Sequence, residues 1–426
     1  MVRLALLPIL LFSGICLAQQ PADTLRFSPG EAEKTFLENN LGLLAAKLDI
    51  GRAEARILQA KAWPNPNFTL DEVNLWATAR QRGGETVSPA FPGGWGTNQQ
   101  FALRLEQMVQ TARKRGKAIR LETDGKVLAE KSFSDLLQAM RAELRQAAAE
   151  LSYAQALLHD ARRQQSLVDR LLRVQEAQSA LGAVPKAEVY RLRALQQSLK
   201  AEANEWAEQA GEKEMALKLL LGTPPASALV ITIPAAIPAV HIPPLDSLLD
   251  VAERNNASLQ VATANVQLQN SAYALERARR VPDLQFNVGY DRNGSTMLDF
   301  VGAGVSMDLP FFNRNKGNIR DARLQWQQSG IQRSRTAHAL AADVVRARQE
   351  LVRTLEAAQG MGGDYLHELD LLLDGITLNF RDRHLSLVAF LDYFTSFRDN
   401  RRLYYEAIRN IIVHQSELEY LTGNTL

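Results

Sequence analysis

Cysteine is almost absent from this chain: Cys16 is the only one in 426 residues. An internal disulfide and a Cys-ligated metal site are therefore excluded at the outset. Charge of one sign is also missing, with 49 basic against 47 acidic side chains and a formal net charge of +2. Nucleic-acid binders carry a strong basic excess, so nucleic acid is not an expected partner. After residue 18 no run approaches the ~20 consecutive apolar residues that a membrane-spanning helix needs. If the protein enters a membrane, it must do so as a β-barrel. No nucleophile elbow, P-loop or GxGxxG fingerprint is present, and the six histidines (His159, His241, His338, His367, His384 and His414) show no ligand-like spacing. The expectation is a protein without catalytic residues, cofactor or metal.

The N-terminus reads as an export signal over residues 1–18. Arg3 supplies the positive start, Leu4 to Ile15 the apolar stretch, and Cys16-Leu17-Ala18 a small-x-small site with cleavage after Ala18. A lipid-anchored N-terminus at Cys16 is the alternative, which Gly14-Ile15 fits poorly.

The mature chain repeats itself, and a missed repeat would mis-assign the fold. Gly116 precedes Gly317 by 201 residues, and Leu221-Gly222-Thr223 is echoed by Thr422-Gly423-Asn424 at the same offset. Upstream, Asn39-Asn40 matches Asn255-Asn256 at 216 and Pro64 matches Pro282 at 218. One Gly-, Pro- and Ser-rich insertion around Arg80 to Asn98 explains the difference. The expected organisation is a first repeat over 19–222, a Pro-rich extended connector over 223–245 and a second repeat over 246–426.

Each half runs helix, two strands, very long helix, turn, long helix. Helical patterns over Glu31–Ala62 and Asp246–Arg280 end at Pro64 and Pro282. Leu284, Phe286, Val288 and Tyr290 alternate with polar neighbours, as do Val301, Ala303, Val305, Met307 and Leu309; Phe101, Leu103 and Leu105 do the same in the first half. Period-2 alternation over about ten residues fits a water-filled membrane barrel, and also a soluble sheet with one wet face. Trp63, Trp76, Trp95, Tyr290, Phe311 and Phe312 fall at strand ends, where a membrane-interface girdle places them. Four strands cannot close a barrel, and open edges are not tolerated in lipid, so a barrel requires several copies of the chain. Lys117 to about Ala180 is free of proline, and Ile319 to about Arg381 repeats this; at 1.5 Å per residue each could extend ~90 Å. Leu136, Met140, Leu144, Leu151 and Leu158 mark an apolar stripe for helix packing. Gly360, Gly362 and Gly363 suit a break or bend. Arg113, Lys114, Arg115 and Lys117 form a basic run after a strand, placed either to meet anionic lipid or to face solvent.

These features together resemble the TolC-like outer-membrane efflux protein family over essentially the whole mature chain. The match is carried by the proline-terminated helix before each strand pair, the Gly-bearing junctions Arg115-Gly116-Lys117 and Pro310 to Gly317, the tip turns, and the Leu-Gly-Thr endings. The second junction looks much like that of the subfamily serving heavy-metal pumps. The resemblance implies an α+β fold: an outer-membrane β-barrel, four strands per protomer and 12 in a homotrimer, continued by a long α-helical barrel in the periplasm. It implies a passive exit duct for cations or small toxic compounds, working with an inner-membrane efflux pump and a periplasmic adaptor, and seated in outer-membrane lipid. Export of proteins by a type I system, or a non-channel periplasmic coiled-coil adaptor, are the alternatives.

By the same resemblance the two tip turns face the adaptor. The candidate contacts are Gly182, Ala183, Val184 and Pro185 in the first half, and Arg383, His384, Leu385 and Ser386 in the second. Arg383 stands where the family usually has Gly. The acidic rings that close such channels would fall at Ala389 and Asp392; only the second is acidic here. Three Asp392 side chains around a narrow axis would repel one another and attract cations. A solvated surface carboxylate is the other reading of that residue.

Overall fold

The computed structural model describes residues 24–74, 100–231, 236–292 and 299–424. The export signal with Cys16, the Arg80–Asn98 insertion, Trp76 and Trp95 lie outside the described residues. The elements come in the order β1 (Thr24–Phe27), α1 (Pro29–Asn39), α2 (Leu41–Lys61), β2 (Asn67–Asn74), β3 (Gln100–Val109), α3 (Lys114–Ala180) and α4 (Lys186–Leu221). There follow β4 (Ala228–Ile231), α5 (Leu245–Asn255), α6 (Ala257–Arg279), β5 (Leu284–Arg292), β6 (Phe300–Met307), α7 (Lys316–Ala357), α8 (Tyr365–Arg381) and α9 (Leu387–Thr422). The second half thus repeats the order of the first, with one helix divided.

Several expectations are corrected. Glu31–Ala62 and Asp246–Arg280 are each two helices, broken at Asn40 and Asn256. Both asparagines take an extended backbone and both are buried. Asn256 caps α6 by accepting from Leu259 N at 2.9 Å, which satisfies one of the amides that a helix start leaves open. The break expected at Gly360, Gly362 and Gly363 is present, with Gly360 at φ +93° between α7 and α8. In the apolar stripe Leu144 and Leu151 are buried, whereas Leu136 is exposed and Leu158 half-buried. The connector is not wholly without regular structure: β4 within it pairs in parallel with β1, from Thr24↔Ala228 to Phe27↔Ile231.

The chain forms two compact units, each drawing on both sequence halves. The first comprises the residues up to Leu41, Arg141–Ile242 and Gln349–Glu417. Its core is helical: Val168, Leu171 and Leu172 of α3, Val189, Leu192 and Leu199 of α4, Leu369 to Phe380 of α8, and Leu387 to Phe397 of α9 pack together. Phe380, Phe390, Phe394 and Phe397 run through it as successive near-parallel ring pairs, with centroids 4.7, 5.6 and 6.4 Å apart. Apolar burial of this kind stabilises by roughly 1.5–3 kcal/mol per large side chain.

The second unit comprises Gly42–Met140, Pro243–Arg348 and Leu418–Leu426 and holds an antiparallel sheet in the order β2-β3-β5-β6. Cross-strand partners share a face. Phe68, Leu105, Val288 and Ala303 make one row, and Leu70, Leu103, Tyr290 and Val301 the next. The opposite face carries Asn67, Glu106, Asn287 and Gly304, then Thr69, Arg104, Gly289 and Gly302. No helix among the described residues is long and apolar enough to cross a membrane.

Candidate functional site

Three places carry the features expected of function: the sheet, the paired turns and the start of α9. In the sheet the apolar face is uncovered. Phe68, Val301 and Val305 are 65%, 69% and 61% exposed, and Leu70, Leu105 and Val288 are exposed as well. Ordinary soluble proteins put that face inside; contiguous apolar surface left open marks an interaction site. Both edge strands, β2 and β6, pair on one side only among the described residues. The strands are eight to ten residues long, close to the 9–11 that a tilted membrane strand needs.

Aromatics stand at both ends of the sheet. At the end joined to the helices, Trp63 precedes β2, and Phe311 and Phe312 follow β6; all three are exposed. At the other end Tyr290 lies against Phe101 with centroids 5.9 Å apart. The basic run after β3 is corrected from a free surface to an internal brace. Lys114 is buried and reaches Asp283 Oδ1 at 2.7 Å, Arg115 lies 4.4 Å over the Trp63 ring, and Lys117 donates to the Ala112 carbonyl at 2.9 Å. Of the four, only Arg113 is exposed.

The two turns in the first unit are near copies. Gly182 takes φ +74° after α3, and Arg383 takes φ +62° after α8. Ala183 N donates to Gln178 O at 2.9 Å and His384 N to Asn379 O at 2.8 Å, the same closing bond in both. Arg383 pays for its left-handed backbone with a bond from Nη2 to Gln178 Oε1, 3.1 Å, which also ties the two turns together. Pro185 presets the start of α4, while Ser386 starts α9 by accepting from Ala389 N at 3.2 Å. Gly182, Ala183, Pro185, Arg383, His384 and Ser386 are exposed; Val184 and Leu385 are half-buried. Leu181 beside them is 85% exposed. On α9, Asp392 is exposed on the second turn and Ala389 half-buried.

Sequence reasoning missed two charged clusters in the first unit. Arg401 is buried and donates to Asp160 Oδ1 at 3.0 Å, Asp370 Oδ1 at 2.9 Å and the Tyr405 hydroxyl at 2.8 Å. Glu350 on α7 meets His414 and Glu417 on α9. Sequence spacing hides both, because the partners on different helices are 31 residues or more apart. In the first half the comparable polar contact is a plain ion pair, Lys213 Nζ to Glu150 Oε2 at 2.9 Å. Burial works to raise the Glu150 carboxyl, but the bonds from Lys213 and Gln146 outweigh it and hold it below its usual range. The bond to Glu150 in turn raises the Lys213 ammonium.

A four-stranded open sheet with an uncovered apolar face, joined to long paired helices ending in twin turns, is the fold of the TolC-like outer-membrane channels. CusC is similar, with a TM-score of 0.71 at 17% identity over 93% of this chain and 92% of that one. The Campylobacter jejuni CmeC outer membrane channel gives 0.73 at 14% over 93% and 85%. The Vibrio cholerae outer membrane protein VceC gives 0.68 at 17% over 93% and 96%. The outer membrane efflux protein family model matches residues 248–359, from within α5 to just past α7. A curated relative, the cobalt-zinc-cadmium resistance protein CzcC of Cupriavidus metallidurans, is 22% identical over 355 residues, which is 83% of this chain and 80% of that protein.

Proposed function

We propose that this chain is one protomer of a trimeric outer-membrane exit duct in a tripartite efflux system, passing cations or small toxic compounds delivered by an inner-membrane pump through a periplasmic adaptor. The observation that carries this reading is the sheet: its apolar face is open, its polar face lies opposite, and among the described residues both edge strands pair on one side only. In lipid every backbone amide must find a partner, so edge β2 of one copy has to meet edge β6 of the next until the ring closes. Three copies of four strands give 12, an ordinary barrel size. Lipid then covers Phe68, Leu70, Val288 and Val301, and the Thr69, Arg104 and Glu106 face lines water. The protomer is organised as two repeats, 19–222 and 246–426, around the 223–245 connector.

The twin turns, from Gly182 to Pro185 and from Arg383 to Ser386, are the adaptor-facing surface in this reading, and Asp392 is the carboxylate contributed to a ring at the aperture. The relation to CzcC, a protein named for cobalt, zinc and cadmium resistance, favours metal cations as cargo. The duct does no chemistry of its own; the pump supplies the energy.

The test is assembly. The mature chain should fractionate with outer membranes, leave them only in detergent, and run as a trimer that conducts in planar bilayers. Asp392→Asn should weaken block by divalent cations while leaving the trimer intact. A detergent-free, water-soluble monomer would instead fit a periplasmic adaptor and overturn the duct.

A further inference from the structure

In the first unit, α7 and α9 bring together three side chains that the duct itself does not use. His414 and Glu417 lie one turn apart on α9, and Glu350 faces them from α7. His414 Nδ1 is 3.7 Å from Glu350 Oε2 and 4.0 Å from Glu417 Oε2, and one donor atom from each of the three lies within 4.8 Å of the others. The imidazole Nδ1 is shut off from solvent and has no hydrogen-bond partner.

The three donors therefore converge without a hydrogen bond closing between the imidazole Nδ1 and either carboxylate. Donors about 2.0–2.2 Å from a tetrahedral ion are separated by about 3.4 Å, so small side-chain rotations bring the three into register.

The first repeat supplies an internal control. Lys213 stands 201 residues before His414 and pairs directly with Glu150 at 2.9 Å. The positions matching Glu350 and Glu417 are Ala149 and Ala216. The second repeat has therefore exchanged an ammonium that carries its own charge for an imidazole, and has added two carboxylates. A cavity of about 460 Å³ opens beside the cluster, lined by Glu350 and His414 with Glu406, Asn410 and Arg353. It gives a hydrated ion access and leaves room for water in the remaining coordination position; Arg353 is the competing cation nearby.

We propose that Glu350, His414 and Glu417 form a binding site for a divalent transition-metal cation of the zinc or cobalt type. One imidazole with two carboxylates suits that class, whereas calcium and magnesium prefer all-oxygen sets and copper(I) prefers sulfur. The site stands on this chain's own residues and does not depend on the export reading.

The experiment uses the purified, metal-free full mature chain, titrated with Co²⁺ while its visible absorption is read, and with Zn²⁺ by calorimetry. One ion per chain is expected, with a cobalt band that zinc displaces. His414→Lys installs the first repeat's residue; it should weaken binding at least about tenfold with helix content and oligomer mass unchanged. Glu417→Gln, nearly the same shape, should also weaken it, and keeps the test valid if the lysine variant misfolds. Absence of cobalt binding to the wild-type chain, or equal affinity and spectrum in the variants, would overturn the site. Because binding is read without transport, such a failure leaves the duct reading untouched. A soluble monomer that still took up cobalt would overturn the duct alone.

Discussion

The two sequence halves follow one order of elements but put their charge in different places. In the first, α3 runs unbroken for 67 residues, and its polar contacts to α4 are half-exposed pairs such as Lys213 with Glu150 and Arg193 with Glu176. In the second, the matching helix is divided into α7 and α8, and α9 carries a buried guanidinium. Arg401 is 6% exposed, while its counterpart 201 residues earlier, Lys200, faces solvent. Asp160 on α3, which Arg401 grips, corresponds to Met361 in the α7–α8 break. The second half gathers its charged networks around α9, and the Arg401–Asp160 pair reaches across to α3 of the first.

The largest effect should come from breaking that asymmetry. Arg401→Met leaves Asp160, with its side chain only 5% exposed, without its cation. Stranding one member of a buried pair costs about 3–5 kcal/mol. Lys200→Met, the same change in the other repeat, should stay within about 0.5 kcal/mol. Denaturant unfolding of the two variants measures the difference, and equal costs would show that the repeats share their charge evenly.

Next in size is a feature that the repeats share. Gly222 and Gly423, at φ +65° and +66°, close α4 and α9 against the Asn-Asn pairs. A Cβ at Gly222 would lie 2.7 Å from Asn39 O, and one at Gly423 2.6 Å from Asn255 O. The neighbouring amides clamp the same joints, Asn40 Nδ2 to Leu220 O at 2.8 Å and Asn256 Nδ2 to Leu421 O at 3.0 Å. Alanine at either glycine meets backbone that cannot give way and a left-handed backbone as well, so each should cost about 2 kcal/mol or more. Thermal melts of Gly222→Ala and Gly423→Ala should fall together; a large gap between them would mean that the two joints are not equivalent.

Much of this was legible in the sequence because it is local or periodic. Strand alternation marked β3, β5 and β6, while β2 was less regular, and the offset of 201 residues paired Gly116 with Gly317 and Gly222 with Gly423. The paired asparagines were visible as a repeat, but their role was not, since a long-range amide-to-carbonyl bond leaves no periodic trace. For the same reason Arg401–Asp160 and Glu350–His414 could not be read: each joins helices far apart in the chain, and an Arg or His on a helix is ordinarily a solvated one. The parallel β1–β4 pair was hidden because four-residue strands beside prolines look like connector.

The turns give the smallest effect and the most direct view of why the repeats diverge. A Cβ at Gly182 meets nothing within 4 Å, so Gly182→Ala should cost only the left-handed penalty of about 1–2 kcal/mol. Arg383 already bears that penalty and recovers part of it through Gln178. In Arg383→Gly the strain is relieved, but the bond to Gln178 is lost and the unfolded chain gains freedom, terms of about 0.5–1 kcal/mol each. The stability change should therefore be under about 1 kcal/mol by thermal unfolding. Were stability all that mattered at this position, glycine would serve as well. An adaptor-binding deficit in Arg383→Gly at unchanged melting temperature would assign the arginine to recognition, and unchanged binding would leave Gln178–Arg383 as a strut between the two turns.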